Sequence, residues 1–162
     1  MGNILTIKDL DFTKFKHVFN VTVRNYEIDW QGIVHNGNYA LYFEMARVNY
    51  FKEVGMRIDE RNISGSVRIV IARNELDYFN SATFEDQLKI YTRVSAIRNS
   101  SFVSEGFMLH AEKNILIAKN VSTLVWTDPV TAKSTPVPND FRKLVDQYEP
   151  GNADIHWPVS EV

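Results

Sequence analysis

The sequence contains no cysteine. That one absence removes disulfide staples, thiolate nucleophiles and cysteine-based zinc sites together. Long apolar runs are missing too: no stretch approaches the roughly 18 residues of a membrane-spanning helix. No N-terminal stretch combines a charged start, an apolar middle and a small-residue cleavage site, so no export signal is expected. The hexapeptide Met1-Gly2-Asn3-Ile4-Leu5-Thr6 fits the N-myristoylation pattern, but that pattern is too loose for a lipid anchor to be expected. Charge of one sign is also lacking. The net charge is −2, and the basic residues are scattered rather than gathered into a phosphate-backbone patch. These absences point to a cytoplasmic protein with neither a membrane nor a nucleic-acid partner.

Common catalytic signatures are missing as well. There is no Gly-x-Ser-x-Gly elbow, Gly-x-x-x-x-Gly-Lys-Ser/Thr loop, His-Glu-x-x-His pair or Gly-x-Gly-x-x-Gly turn. The four histidines (17, 35, 110 and 156) lie far apart and show no metal-ligand spacing, so no metal is expected. Any chemistry must come from carboxylates, amides and backbone groups.

The 162 residues make one domain. A chain of this size buries about 70% of the surface it exposes unfolded, and needs no staple. The pattern predicts an extension over residues 1–14, one domain over 15–148 and a tail over 149–162. His17 to Tyr26 is β-branched and aromatic and reads as a strand. A polar turn follows. Tyr39, Tyr42, Phe43, Ala46 and Tyr50 then recur at helical spacing, ending near Gly55, with Asn36 or Asn38 as the cap. Leu41, Met45 and Val48 widen the apolar surface, so the helix is expected to be largely enclosed. Glu44 and Arg47, three apart on it, form a candidate pair.

Downstream, Val67 to Ile71, Leu88 to Val94, Phe102 to His110 and Ile115 to Trp126 read as four strands of an antiparallel meander. Arg98-Asn99-Ser100 and Glu112-Lys113-Asn114 read as hairpin turns. A short helix follows from about Asn139 to Tyr148, and little order is expected beyond Pro150. The packing solution is α+β: a curled five-stranded antiparallel sheet wrapped around one long central helix.

That packing brings the helix N-terminus close to the polar turn. Its unpaired N–H groups carry the positive end of the helix dipole and suit a developing oxyanion. Asp29 lies in that turn, seven residues before Asn36. A carboxylate there can face a carbonyl whose oxygen points at the helix N-terminus, an arrangement that suits acyl transfer to water. Aspartate is equally at home as an ordinary turn or capping residue.

The segment Glu27-Ile28-Asp29-Trp30-Gln31-Gly32-Ile33-Val34-His35-Asn36-Gly37-Asn38-Tyr39 resembles the signature of hot-dog-fold acyl-CoA thioesterases of the 4-hydroxybenzoyl-CoA thioesterase type. Tyr42-Phe43-Glu44-Met45-Ala46-Arg47, Tyr78-Phe79-Asn80-Ser81-Ala82 and Pro136-Val137-Pro138 continue the likeness, over about residues 15–147. The resemblance implies the hot-dog fold and hydrolysis of an acyl-CoA to free acid and CoA. It makes Asp29 the nucleophile or general base and Asn36 the position whose backbone N–H polarises the thioester carbonyl, flanked by His35 and Gly37. The family commonly has His or Tyr where Asn36 stands. The backbone donor is unaffected by that departure. His35 either supplies an imidazole instead or packs at the helix start.

Tyr39 is expected at the acyl-pocket wall. Arg68, Arg73, Lys89, Arg93 and Arg98, on the strands or their turns, are the candidate cations for the CoA phosphates. CoA is part of the substrate, and no cofactor is expected. The resemblance also implies a homodimer or homotetramer. Two other functions fit the fold. One is a hot-dog dehydratase, for which His35 and Glu44 are the right residue types. The other is a non-catalytic acyl-CoA-binding protein.

Overall fold

The computed structural model describes residues 7–58 and 68–158. The hexapeptide 1–6, most of the loop after Gly55, and Val67 lie outside these residues. The elements are β1 (His17–Thr22), α1 (Asn36–Glu53), β2 (Arg68–Tyr78), β3 (Gln87–Ile97), β4 (Ser101–His110), β5 (Leu116–Thr127), α2 (Asn139–Tyr148) and β6 (Asp154–Ile155).

The strands form one sheet in the order β1-β3-β4-β5-β2, antiparallel along that path, and β6 adds a short parallel pairing to β3. The expected meander therefore holds only for β3, β4 and β5. β3 has its two edges taken by β1 and β4, so β2 pairs with β5 at the far side. Irregularities between Ile71 and Arg73, Val94 and Ala96, and Met108 and Leu109 break the ladders. Such bulges bend and twist strands, which helps a sheet curl. Both expected hairpin turns are present, between Ile97 and Ser101 and between His110 and Leu116.

The sheet curls around α1. Its inward face in β3 is Leu88, Ile90, Thr92 and Val94, the alternation visible in the sequence. The helical stripe Tyr39, Tyr42, Phe43, Ala46 and Tyr50 is buried against that face. Each large apolar side chain buried this way contributes on the order of 1.5–3 kcal/mol. The helix is not enclosed all round, however. Leu41 and Met45 stay exposed on its outer side, because one sheet covers only one side of the helix. Arg47 does not pair with Glu44. It is buried and donates to Ser122 Oγ at 3.2 Å, while Glu44 faces outward.

α2 closes the other end of the core. Phe141 packs with Phe51, Phe102 and Trp126 at ring separations of 5.1 to 6.0 Å. Arg142, fully buried, donates to the backbone oxygens of Arg98, Asn99 and His156. These bonds tie the β3–β4 turn to the tail, which explains why the chain beyond Pro150 is ordered enough to form β6.

Glu149 is buried just after α2. Its Oε1 accepts from the Tyr50 hydroxyl and from the Val94 N–H, while Oε2 is buried with no partner among the described residues. Burial raises the Glu149 pKa, against the opposing effects of those two bonds and of Arg93 and Lys16. A raised carboxyl pKa means that the associated stability is full below the ordinary glutamate range and is lost as pH rises through the raised value. Glu149→Gln is permanently neutral and keeps an acceptor. Its melting temperature relative to the wild type should therefore rise as pH increases above the ordinary glutamate range. A difference that stays flat as pH rises would show that Glu149 does not titrate differently in the folded state.

Candidate active site

The site is built on the turn between β1 and α1. Ile28 and Val34 form an antiparallel bridge, and Asp29 N–H donates to Ile33 O at 2.9 Å. The loop closes where Gly32 N–H reaches Asp29 O at 3.0 Å. Gly32 has φ +77°, a conformation other residues adopt only with strain. Within the turn, Asp29 Oδ1 accepts the Gln31 N–H at 2.8 Å. Asp29 Oδ2 has no hydrogen-bond partner among the described residues. The carboxylate is thus oriented through one oxygen and has the other available.

α1 starts directly after this turn. His35, not Asn36 or Asn38, is the cap: its Nδ1 accepts the Gly37 N–H at 3.1 Å. An imidazole nitrogen serves here in place of the usual side-chain oxygen. Nδ1 is therefore the acceptor nitrogen, and in the neutral ring the proton sits on Nε2. Asn36 becomes the first helical residue, so its N–H has no acceptor within the helix. No other group among the described residues takes it.

Asp29, Asn36 and Tyr39 line one cavity of about 330 Å³, together with Ile33, Tyr78 and Asn80. The sequence reading gave Tyr78 and Asn80 no role. The Tyr78 hydroxyl donates to Asn36 O at 3.1 Å, which joins the end of β2 to the start of α1. The Tyr39 hydroxyl accepts the Ala82 N–H at 3.2 Å, and its ring meets Tyr78 edge-on at 5.5 Å. Burial raises the Tyr39 pKa, with smaller contributions from Tyr78 and Asp29, so its hydroxyl stays protonated. His35 and Gly37 adjoin the cavity in sequence but do not line it.

The five candidate cations are dispersed, and none lines this cavity. Arg93 is bound to Glu105 at 2.9 Å and to Asn152 O at 2.9 Å. Arg98 pairs with Asp154 at 2.8 Å, and Arg73 pairs with Glu75. Arg68 and Lys89 form no ion pair among the described residues. No group of three or more His, Asp or Glu side chains among those residues could hold a metal ion.

Glu27 is a third residue to which the sequence alone assigns no role. Only 5% exposed, it accepts from the backbone and guanidinium of Arg24 and from the Tyr42 hydroxyl. Burial alone would raise its pKa, but the bonds from Arg24 and Tyr42 outweigh that and hold the carboxyl below its usual range. Arg24 and Glu27 at i, i+3 were the available signal.

A curled sheet around one helix, with a carboxylate-bearing turn at the helix start, is the hot-dog architecture. The model of the thioesterase-like superfamily matches residues 23–145, and the chain belongs to that superfamily. It is 31% identical over 97 residues to the Bacillus subtilis (strain 168) protein YsmA, a match spanning 57% of this chain and 63% of that protein. It is 25% identical over 126 residues to the acyl-CoA thioester hydrolase YbgC of Escherichia coli O157:H7, covering 76% and 92%. A Thermus thermophilus thioesterase solved with coenzyme A and Zn superposes with a TM-score of 0.73 at 26% identity, covering 84% of this chain and 96% of that one.

The cap geometry separates the two roles open to His35. If its imidazole only caps, His35→Ala should cost about 0.5–2 kcal/mol of stability, while His35→Asn restores the cap. Turnover of His35→Asn should then match the wild type. Loss of activity in both variants, with stability restored in the second, would assign the ring a chemical role.

Proposed function

We propose that the chain hydrolyses an acyl-CoA thioester, with Asp29 as nucleophile or general base and the Asn36 N–H as oxyanion donor. The observation that carries this reading is the shared cavity. Among the described residues, its lining includes a carboxylate with an oxygen that has no partner, a helix-start residue whose N–H has no acceptor, and apolar side chains beside them. A carbonyl seated there has its oxygen toward the positive end of the α1 dipole and its carbon open to Asp29. As nucleophile, Asp29 would add to that carbon and expel the CoA thiolate, leaving an anhydride for water to cleave. As base, it would take a proton from the attacking water. A thiolate leaves readily, so neither route calls for a metal or another cofactor. The superfamily and the likeness to YbgC support the substrate class.

The dehydratase reading gains nothing from the geometry. Glu44 lines a groove on the outer side of α1 with Leu41 and Met45, away from the Asp29 cavity. An acyl-CoA-binding protein without turnover differs in its readout: it would bind acyl-CoA and release no thiol. For the CoA phosphates, Arg68 and Lys89 are the candidates without a competing carboxylate among the described residues.

Assembly belongs to this reading. β2 pairs with β5 on one side only and runs Arg68–Tyr78, long and mostly exposed. Open edges of that length are usually paired or covered. Tyr78, at the end of β2, is also a cavity wall, so a second copy joined along β2 would lie beside the site. The active species is then a homodimer, or a homotetramer built from it. Light scattering at micromolar concentration should give a multiple of the chain mass, and a fully active monomer would overturn the assembly.

Asp29→Asn tests the chemistry. Asparagine keeps an oxygen for the Gln31 N–H but has no basicity, so kcat should fall about 10²–10⁴-fold. The melting temperature should hardly move, because the turn bond survives. A variant that releases CoA at the wild-type rate shows that the carboxylate is not the catalyst.

A further inference from the structure

Asp29 is held by its own turn, but something must hold that turn against α1. Few bonds link the two. Glu27 O accepts both the His35 N–H at 2.9 Å and the Asn38 side-chain amide at 2.8 Å. The Glu27 carboxylate reaches further along the helix. Its Oε2 accepts the Tyr42 hydroxyl at 2.5 Å and the Arg24 N–H at 2.7 Å, and its Oε1 takes the Arg24 guanidinium. Tyr42 is itself only 1% exposed and packs in the core under α1. The Glu27 carboxylate therefore joins three parts: the segment just after β1 through Arg24, the helix through Tyr42, and the turn that begins directly after it. Asp29 follows two residues later.

We propose that Glu27 is a positioning residue, which sets the separation of Asp29 from the first N–H of α1 through its bonds to Tyr42 and Arg24. The inference rests on the reading of Asp29 and Asn36 given above. Its chemistry is geometric. Oxyanion stabilisation and attack both need the reacting groups placed to within a fraction of an ångström, and a misplacement of about 1 Å can cost about 10²-fold in rate. Residues on a turn cannot meet that tolerance unaided. A nearly buried carboxylate with four donor atoms on it can, because shifting it would break its bonds to Arg24 and leave the buried Tyr42 hydroxyl without its partner. Arg24 also neutralises the Glu27 charge, so the extra carboxylate adds little repulsion to a second anion nearby.

The test is a double-mutant cycle on the full chain, with thiol release measured on one acyl-CoA that the wild type turns over. Glu27→Gln keeps the shape and removes the charge. It should lower kcat about 10- to 100-fold with KM within about 3-fold, because the substrate still binds while Asp29 and Asn36 are misaligned. In the Asp29→Asn background the same change should cost less than about 3-fold, since the group it positions is already gone. Wild-type kcat in Glu27→Gln overturns the proposal. So does an equal loss in both backgrounds, which marks a general structural effect. Should Glu27→Gln not fold, Tyr42→Phe keeps the ring in the core and removes one bond to the carboxylate. It should show the same pattern at smaller amplitude, and an unchanged kcat there also overturns the proposal. Failure of the underlying reading looks different: Asp29→Asn itself would be active, whatever Glu27 does.

Discussion

Phe43 lies directly over Gly106, and the rest of the structure depends on that approach. A Cβ at Gly106 would sit 3.0 Å from the Phe43 ring and 3.1 Å from Tyr91 O, tighter than side chains normally tolerate. The glycine is needed for space rather than for an unusual backbone angle. It lets the middle of α1 settle onto the inner face of β4, and the stripe on either side of Phe43 follows. Tyr39 and Tyr42 pack on one side, and Ala46 and Tyr50 on the other. The start of α1 then lies beside the end of β2, where Tyr78 bonds Asn36 O, and beside the turn after β1. The geometry of the proposed site is therefore a consequence of helix-on-sheet packing, and its residues decorate a position the core has already determined.

Buried polar groups refine what that packing leaves loose. Arg142 holds the tail to the β3–β4 turn through backbone oxygens, Arg47 reaches Ser122 across from the helix, and Glu149 joins Tyr50 to β3. Each spans elements that apolar contact would allow to slide. A buried charge is costly unless its partners are in place, so it tolerates few alternatives to the native arrangement. These groups are better understood as fixing relative positions than as sources of net stability. Glu27 belongs to the same class and differs in what lies next to it.

Much of this was legible in the sequence because it is periodic. The alternation Leu88, Ile90, Thr92, Val94 and the stripe Tyr39 to Tyr50 identified both faces of the core, and Asp29 stood out as an acid placed before a helix start. What was not legible depended on pairing between distant segments. Nothing local says that β2 joins β5 rather than β3; that follows from β1 occupying the edge of β3. Leu41 and Met45 look like core because they are apolar, yet one sheet covers one side of a helix and leaves them outside. The sequence does not single out His35 as the cap, because oxygen-bearing side chains are the commoner choice and Asn36 and Asn38 both offer one. Tyr78 and Glu27 required knowing what lies across from them.

The same distinction applies within the site. The turn around Asp29 is local: Gly32 closes it and the Gln31 N–H orients one carboxylate oxygen, all within four residues. The Ile28–Val34 bridge and the bond from Asp29 N–H to Ile33 O also tie Asp29 to the residues just before α1. Long-range partners add to that tie, Tyr42 fifteen residues from Glu27 and Tyr78 forty-two residues from Asn36. Reactive groups on a flexible loop would lose the advantage of proximity, because the entropy of aligning them would have to be met in every turnover. Here that cost is met when the chain folds, by the packing that places Phe43 on Gly106.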